Sequence, residues 1–232
     1  MKKTAIAMLS VGPSSITYAN SLISDLNDTA DYPIFILTDR PESFNYPNVV
    51  CYKYTKSYFS YHEKLNSIRL VSQYFSSILF LDTDHRIVDK NKFKNHFEKL
   101  CTYSDNTIYP HLVWNCPVRI CMSKFLNGEV PELPYGKKFK SYCDINSWST
   151  DCDTIQESLM LINCSDKTIL NSFFNIWTKL KFFCEQMDRE IGLTTLGYGE
   201  GYSIAIAAKN SNLLVDVNNR SFYGLIDSVK HL

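Results

Sequence analysis

Residues 78–88 read ILFLDTDHRIV, and this stretch decides the fold of the chain. Residues 78–81 are a continuous apolar run, which is typical of a strand buried on both faces of a parallel sheet. The run ends directly on Asp82, Thr83 and Asp84. Ligands of open α/β sheets bind beyond the carboxyl ends of the strands. The two aspartates are therefore expected at the edge of the sheet where a ligand would lie.

Two carboxylates placed two positions apart at the end of a strand require a physical explanation. On an extended strand, alternation sends Asp82 and Asp84 to one side, and it sends Thr83 and His85 to the other. The carboxylates would repel each other unless a cation neutralised them. Mg²⁺ and Mn²⁺ accept oxygen ligands and leave coordination positions open for a diphosphate. A solvated strand end with two capping aspartates is the plain alternative.

Phosphatases of the haloacid dehalogenase type also place D-x-D-x-[TV] after an apolar strand. Here the fifth position is Arg86, and the motif lies a third of the way along the chain. Both features argue against that class.

The composition is that of a folded globular protein. The chain has 232 residues, of which 45% are hydrophobic and 21% charged, enough for one sizeable domain. Lys plus Arg number 24 and Asp plus Glu number 24, so no net charge points to nucleic acid as a partner.

The first ten residues, MKKTAIAMLS, resemble the start of a secretory signal. Their apolar run is shorter than the roughly 7–15 residues of such signals, so we predict a buried strand over residues 4–11. No stretch approaches the roughly 18 apolar residues of a membrane span. The eight cysteines include no CxxC pair, which favours reduced thiols in a cytoplasmic protein. A disulfide within residues 116–152 is the alternative.

Strand and helix patterns alternate along the chain, which predicts an α/β fold with a mostly parallel central sheet flanked by helices. A long irregular region is expected over residues 103–154, where prolines and glycines are frequent. The predicted strands cover residues 4–11, 33–39, 48–54, 77–82, 157–164 and 212–217, and the predicted helices cover 14–26, 61–75, 91–100, 166–186 and much of 199–210.

The block HEKLNSIRLVSQYFSSILFLDTDHRIV, residues 62–88, resembles the helix and strand that carry Asp-x-Asp in glycosyltransferases of the GT-A fold. The resemblance is greatest to the glycogenin-like and galactosyltransferase-like enzymes of glycosyltransferase family 8. Lys64-Leu65, Tyr74 and Asp82-Thr83-Asp84 match in order and spacing. Weaker likenesses to other blocks of that family occur at residues 6–26, 157–177 and 197–208.

The resemblance implies one Rossmann-like GT-A domain over residues 1–232. Residues 1–90 would form the nucleotide-sugar-binding half, and residues 91–232 would form the acceptor-side half. Within the first half, Leu9, Val11 and Gly12 would lie against the base and ribose. The full set of implied nucleotide-sugar-binding residues is Leu9, Val11, Gly12, Asp39, Lys64, Asp82, Thr83 and Glu157.

The resemblance also implies a metal site and a catalytic carboxylate. Mn²⁺ or Mg²⁺ would be bound by Asp82 and Asp84, with His231 as a third ligand near the end of the chain. Glu200 falls where the family places an acid close to the reacting sugar carbon. A helix N-terminal acid favoured by the helix dipole is the alternative for Glu200.

The chain departs from the family pattern in three ways. Glu157 stands in place of an Asn and Gly201 in place of a Gln, and the Lys-Pro-Trp that follows the histidine is absent. These departures leave the stereochemical outcome open. A general base acting on the acceptor hydroxyl, with Glu200 in that role, would make the enzyme an inverting one.

The implied function is metal-dependent transfer of a sugar from a nucleotide-diphosphate sugar, with UDP as the expected nucleotide. The acceptor would be a hydroxyl group on a glycan, lipid or protein. Residues 103–154, with His111, Trp114 and Trp148, would shape the acceptor side. The oligomeric state is left open, since no interface pattern stands out.

Two other functions are compatible with the same sheet. A sugar-nucleotide nucleotidyltransferase normally shows a Gly-rich loop with a basic residue after its first strand. Residues 10–18, SVGPSSITY, contain one glycine and no Lys or Arg, which counts against that class. An inactive nucleotide-sugar-binding module of the same fold is the other alternative, and the intact aspartate pair argues against it.

Overall fold

A computed structural model of the chain describes residues 4–29, 31–103, 106–111, 135–193, 196, 199–216 and 218–232. Its strands are β1 (Thr4–Ser10), β2 (Ile34–Thr38), β3 (Val49–Lys53), β4 (Ser77–Leu81), β5 (His85–Ile87), β6 (Thr107–His111), β7 (Gln156–Asn163), β8 (Leu214–Val215) and β9 (Val229–His231).

Helices flank these strands. They are α1 (Pro13–Asn27), α2 (Lys64–Ser72), α3 (Lys90–Cys101), α4 (Gly136–Ile145), α5 (Lys167–Glu190), α6 (Glu200–Ser211) and α7 (Arg220–Ile226), with short 3₁₀ segments at Pro41–Ser43 and Tyr61–Glu63.

The centre of the molecule is a seven-stranded sheet in the order β3-β2-β1-β4-β7-β6-β8. β1 pairs in parallel with β2 and β4, β2 with β3, and β6 with β8. β7 runs antiparallel to both of its neighbours, β4 and β6. Six strands of this sheet thus share one direction and β7 opposes them, which confirms the predicted α/β fold with a mostly parallel sheet.

Alternation along the buried strands divides the core into two layers, one on each face of the sheet. In β1, Ala5 and Ala7 belong to one apolar cluster, and Ile6 and Met8 belong to the other. The first layer is covered by α2, α5 and α6, and the second by α1, α3 and α7. A strand covered on both faces has no polar side, which is why its sequence is continuously apolar.

The strands come from both predicted halves of the chain and join in one sheet. β3 lies at one edge of it, and this agrees with its half-buried pattern. A separate two-stranded sheet pairs β5 with β9, so the last described segment of the chain returns to the Asp-Thr-Asp stretch.

The prediction of an irregular region over residues 103–154 was wrong for residues 107–111 and 136–145, which form β6 and α4, whereas residues 146–154 belong to no helix or strand. Pro110 sits within β6, and a proline in a run of five residues conceals a strand from pattern reasoning. The predicted strand over 212–217 is reduced to the two residues of β8. Residues 112–134 lie outside the described ranges.

The described helices include none that is both long enough and apolar enough to cross a membrane. Among the cysteines, Cys143, Cys164 and Cys184 are buried free thiols. The alternative disulfide within residues 116–152 therefore does not involve Cys143, and Cys116 and Cys121 of the same range lie outside the described residues.

Candidate active site

The reversed direction of β7 brings two chain segments to one rim of the sheet. β4 ends at Leu81, and β7 begins at Gln156 on the same side. The backbone N–H of Asp82 donates to the carbonyl of Ser158 at 2.8 Å. Glu157 is therefore placed beside Asp82, although 75 positions separate them in the sequence (157 minus 82).

Lys64 lies at the centre of this rim, in the first turn of α2. Its Nζ is 3.0 Å from Oδ2 of Asp82, 3.5 Å from Oε2 of Glu200 and 3.7 Å from Oε1 of Glu157. The side chain is 6% exposed, so the ammonium group has been taken out of water. We call Lys64, Asp82, Glu157 and Glu200 the rim cluster.

The charges of the rim cluster depend on one another. Burial alone would lower the pKa of Lys64, but Glu200, Asp82 and Glu157 together raise it above its ordinary value. Burial raises the pKa of Asp82 to about 6 in spite of Lys64. Burial and the neighbouring Glu157 raise the pKa of Glu200 well above its ordinary value. Two acids of the cluster thus hold protons more tightly than free carboxyl groups do.

Glu200 is positioned by the start of α6. Gly199, the N-cap of that helix, has a φ of 81°, a left-handed conformation that glycine adopts without strain. A Cβ atom on Gly201 would lie 2.2 Å from the carbonyl oxygen of Ile155. The helix therefore packs directly on the segment that leads into β7, and position 201 has no room for the family's Gln.

The aspartate pair itself does not continue the strand. β4 stops at Leu81, and residues 83–84 form a turn before β5 begins. Thr83 turns towards α1, where its Oγ1 lies 3.0 Å from Oγ of Ser15. Strand alternation, which predicted the direction of these side chains, therefore does not apply after residue 81.

His231 lies beside the second aspartate of the motif. β9 pairs with β5, and Nε2 of His231 lies 3.2 Å from Oδ2 of Asp84. His85 is its direct cross-strand partner. The structure thus brings together two residues that are 147 positions apart in the sequence (231 minus 84).

Sequence reasoning left His85 out, because it assigned this residue to the opposite side of a strand. The structure places His85 next to both His231 and Asp84, with ring centroids of the two histidines 5.1 Å apart. Its Nδ1 lies 3.0 Å from the carbonyl oxygen of Asp82 and must donate to it. Burial lowers the pKa of His85 to about 4, which keeps the ring neutral. The position of His85 directly after Asp84 was the feature of the sequence that could have placed it in the candidate site.

The donors at Asp82, Asp84 and His231 are of the kinds that Mn²⁺ accepts. Oδ1 of Asp84 is buried without a hydrogen-bond partner among the described residues, which suits an atom kept for a cation. As they stand, however, the described residues form no group of three His, Cys, Asp or Glu side chains that could hold a metal ion. Asp82 directs one oxygen to Lys64. The donor types therefore suit a divalent cation, whereas the described geometry does not bring three of them together, and metal binding stays a prediction.

The implied nucleotide-side residues lie at the carboxyl ends of β1 and β2. The N–H of Gly12, which has a φ of 85°, donates to Oδ1 of Asp39 at 3.1 Å. Leu9 is 7% exposed and belongs to the core. Val11 is half-buried and packs against that core. The structure thus brings Gly12 and Asp39 into contact, and nothing in it tests nucleotide binding.

The aromatic residues expected on the acceptor side divide between two places. His111 lies near the rim cluster, with its Nδ1 3.0 Å from Oγ of Ser158. Trp148 instead packs against Tyr142 and beneath Lys179, as a residue of the core periphery does. Trp114 lies outside the described residues.

A cavity of about 430 Å³ opens over the rim cluster. Tyr61, Tyr202 and His231 join the four cluster residues in its wall, and the start of β7 forms one side. Acid, base and hydrogen-bonding groups therefore converge on a space large enough for a sugar residue.

Comparisons with known proteins bear on the fold. No family model matches the chain, and no curated protein matches it. Among solved structures, the crystal structure of mouse xyloside xylosyltransferase 1 in its apo form is similar, with a TM-score of 0.51 and 12% sequence identity. The similarity covers 99% of this chain and 97% of that one. The chain thus has the fold of a glycosyltransferase over its whole length.

Proposed function

We propose that the chain is a glycosyltransferase that moves a sugar from a nucleotide-diphosphate sugar to a hydroxyl acceptor. UDP is the proposed nucleotide, and the acceptor is a hydroxyl on a glycan, lipid or protein. The observation that carries the proposal is the convergence of Asp82, Glu157 and Glu200 on Lys64 at the carboxyl rim of the sheet. The whole-length likeness to a xylosyltransferase supports it.

The proposed division of labour follows from the position of each group. Lys64 fixes Asp82 and Glu200 in a single arrangement, since its ammonium group contacts both. Gly12 and Asp39 would lie on the nucleotide side. Glu200 would accept the proton of the acceptor hydroxyl, because burial raises its pKa and so makes its carboxylate a stronger base.

Asp82, Asp84 and His231 are the proposed ligands of Mn²⁺ or Mg²⁺. The cation would supply positive charge to the diphosphate and to the departing nucleotide. The protein's own contribution is to hold His231 against Asp84 through the β5–β9 pairing.

A thermal-shift series tests this proposal directly. A ligand that binds the folded state raises the melting temperature by mass action. We expect UDP-sugars to raise it in the presence of Mn²⁺ and to do so weakly in its absence. Asp84→Asn removes a charge and preserves shape, so this variant should fold and lose most of the Mn²⁺-dependent shift. The matched control is Asp28→Asn, which alters an exposed surface pair.

Product analysis separates the alternatives. Release of UDP with transfer or slow hydrolysis of the sugar supports the proposal. Release of pyrophosphate from a nucleoside triphosphate would instead identify a nucleotidyltransferase, and binding without any turnover would identify an inactive module. The anomeric configuration of the product, read by NMR, tests Glu200 as base, since this role predicts inversion.

A further inference from the structure

The wall of the cavity over the rim cluster is rich in acids. Its described residues include the carboxyl groups of Asp82, Glu157 and Glu200, and they include one ammonium group, that of Lys64. His231 is the other basic side chain in this wall, and it already contacts Asp84. Asp82 is also a proposed ligand of the cation, so Glu157 and Glu200 are the carboxyl groups of this wall that the cation would not bind.

Lys64 is not available to an anionic ligand. All three carboxyl groups lie within 3.7 Å of its Nζ, and the side chain is 6% exposed. Pairing with a further carboxylate would require Lys64 to leave these partners, of which Glu200 is only 5% exposed, and separating such a pair costs stability.

Glu157 is the acid of this wall whose negative charge is compensated least by Lys64. It lies farthest from Lys64, at 3.7 Å, and its side chain is 20% exposed, compared with 5% for Glu200. Asp82 is more exposed but makes the closest contact with Lys64. A Cβ atom on Gly201 would lie 3.2 Å from Oε2 of Glu157, so the missing side chain at position 201 makes room for the acid at position 157.

We infer, resting on the proposed function, that Glu157 selects donors whose sugar is uncharged and excludes uronic acids. A carboxylate accepts hydrogen bonds from sugar hydroxyl groups, whereas it repels a carboxylate on the sugar. The substrate class is therefore a nucleotide-diphosphate hexose or pentose with free hydroxyl groups. Glu157 acts as a specificity-determining residue of the donor site.

UDP-glucose and UDP-glucuronic acid form a suitable pair of donors, because they differ only in oxidation at C6. The measurement is kcat/KM for UDP release, together with donor binding by calorimetry. We expect the wild-type protein to prefer the neutral donor by more than about tenfold, and we expect Glu157→Gln to reduce that preference by about tenfold. Glu98→Gln removes an exposed charge on α3 and should leave the preference unchanged.

The outcomes separate this inference from the proposed function. Equal use of both donors by the wild-type protein overturns the inference, and so does an unchanged preference in Glu157→Gln. If neither these two donors nor any other UDP-sugar of the thermal-shift series binds or releases UDP, the proposed function itself fails. Should Glu157→Gln turn over neither donor, the two binding constants supply the preference, and should it not fold, Glu157→Asn takes its place.

Discussion

Lys64 is held in the protein interior by the acids around it, and its removal would leave them uncompensated. Lys64→Met keeps an unbranched side chain that is one heavy atom shorter, and it removes the charge. We expect a loss of about 3–5 kcal/mol in the free energy of unfolding at pH 8. The loss should be smaller at pH 5, because Asp82, with a pKa of about 6, is then protonated.

Urea denaturation at the two pH values measures this difference. Lys90→Met is the matched control, since Lys90 makes an exposed pair with Asp28 and surface pairs contribute about 0–1 kcal/mol. An equal loss in the two variants would contradict the central role of Lys64.

Glu200 has the opposite effect on stability from Lys64, because the folded state disfavours the charged form of Glu200. A carboxyl group whose pKa is raised by folding stabilises the folded state most at pH values below its unfolded pKa of about 4.3. This contribution is lost as the pH rises towards the pKa of the group in the folded state. Glu200→Gln should therefore melt at a higher temperature than the wild-type protein, by a margin that grows from pH 4.5 to pH 7.5. Its sugar transfer should fall by about 10²–10⁴-fold.

Calorimetric melts across this pH range, with assays at pH 7.5, test the two effects separately. A margin that shrinks with rising pH would contradict the raised pKa of Glu200. Retained transfer would remove Glu200 from the catalytic role and leave the stability argument in place.

At the residue scale, the contacts of the candidate site residues follow from the fold and could not be predicted from the sequence. Lys64, Glu157 and Glu200 were implied by resemblance, and the structure brings them together. The direction of the side chains after Leu81 could not be predicted, because alternation assumes a strand that in fact ends there. Trp148 was assigned to the acceptor side by residue type alone, and it packs against Tyr142 instead.

At the scale of elements, the contact between α6 and the approach to β7 sets the geometry of the rim. Gly201→Ala would place a methyl group against the carbonyl of Ile155. Overpacking of this kind costs about 1–3 kcal/mol, and the shift of α6 should also lower transfer by displacing Glu200. Chemical denaturation and activity assays measure both.

Gly192→Ala provides the comparison for that variant. A Cβ atom there meets nothing within 4 Å, although φ is 79°. It should lose stability through backbone strain, about 1 kcal/mol, and keep its activity. Loss of transfer in both variants would show that stability alone, and not the position of α6, explains the effect at Gly201.

The start of α2 is fixed by a second buried charge group. Glu63, at 1% exposure, pairs with Lys56 and with Lys181 of α5, whose Nζ lies 2.9 Å away. Burial alone would raise the pKa of Glu63, but these lysines and Asn66 lower it below its ordinary value. Glu63→Gln should cost about 1–3 kcal/mol at pH 7, because Lys181 loses one of its two buried carboxylate partners and keeps Glu185.

The pH dependence of this cost follows from the lowered pKa. Stability from Glu63 is present above its unfolded pKa of about 4.3 and is lost as pH falls towards the folded value. The difference between variant and wild-type protein should thus shrink below pH 4. Urea titrations at pH 7 and pH 3.5 measure it, and a constant difference would contradict the ion-pair account.

The parallel strands and the long helix could be predicted from the sequence. Continuous apolar runs mark β1, β2 and β4, and helical spacing of apolar residues marks α5. The direction of β7 could not be predicted, because a strand buried on both faces reads the same either way. β6 was missed because it is short and contains Pro110.

At the scale of the whole molecule, the described chain closes on itself where β9 meets β5. The N–H of Leu232 donates to the carbonyl of Asp84 at 2.9 Å, and His231 contacts the side chain of the same residue. Removal of residues 229–232 should leave the seven-stranded sheet intact, because these residues take no part in it. Circular dichroism should be unchanged, and the Mn²⁺-dependent thermal shift should be lost. A truncated protein that keeps this shift would exclude His231 as a ligand.

The sheet also determines which parts of the molecule can be redesigned independently. Because β7 runs antiparallel to its neighbours, it begins at the rim of the sheet. Residues 151–154, which lead into β7, lie outside the sheet. Variants that lengthen or shorten this approach would alter the mouth of the cavity and keep the strand register. Libraries randomised there could sample new acceptors on an unchanged scaffold.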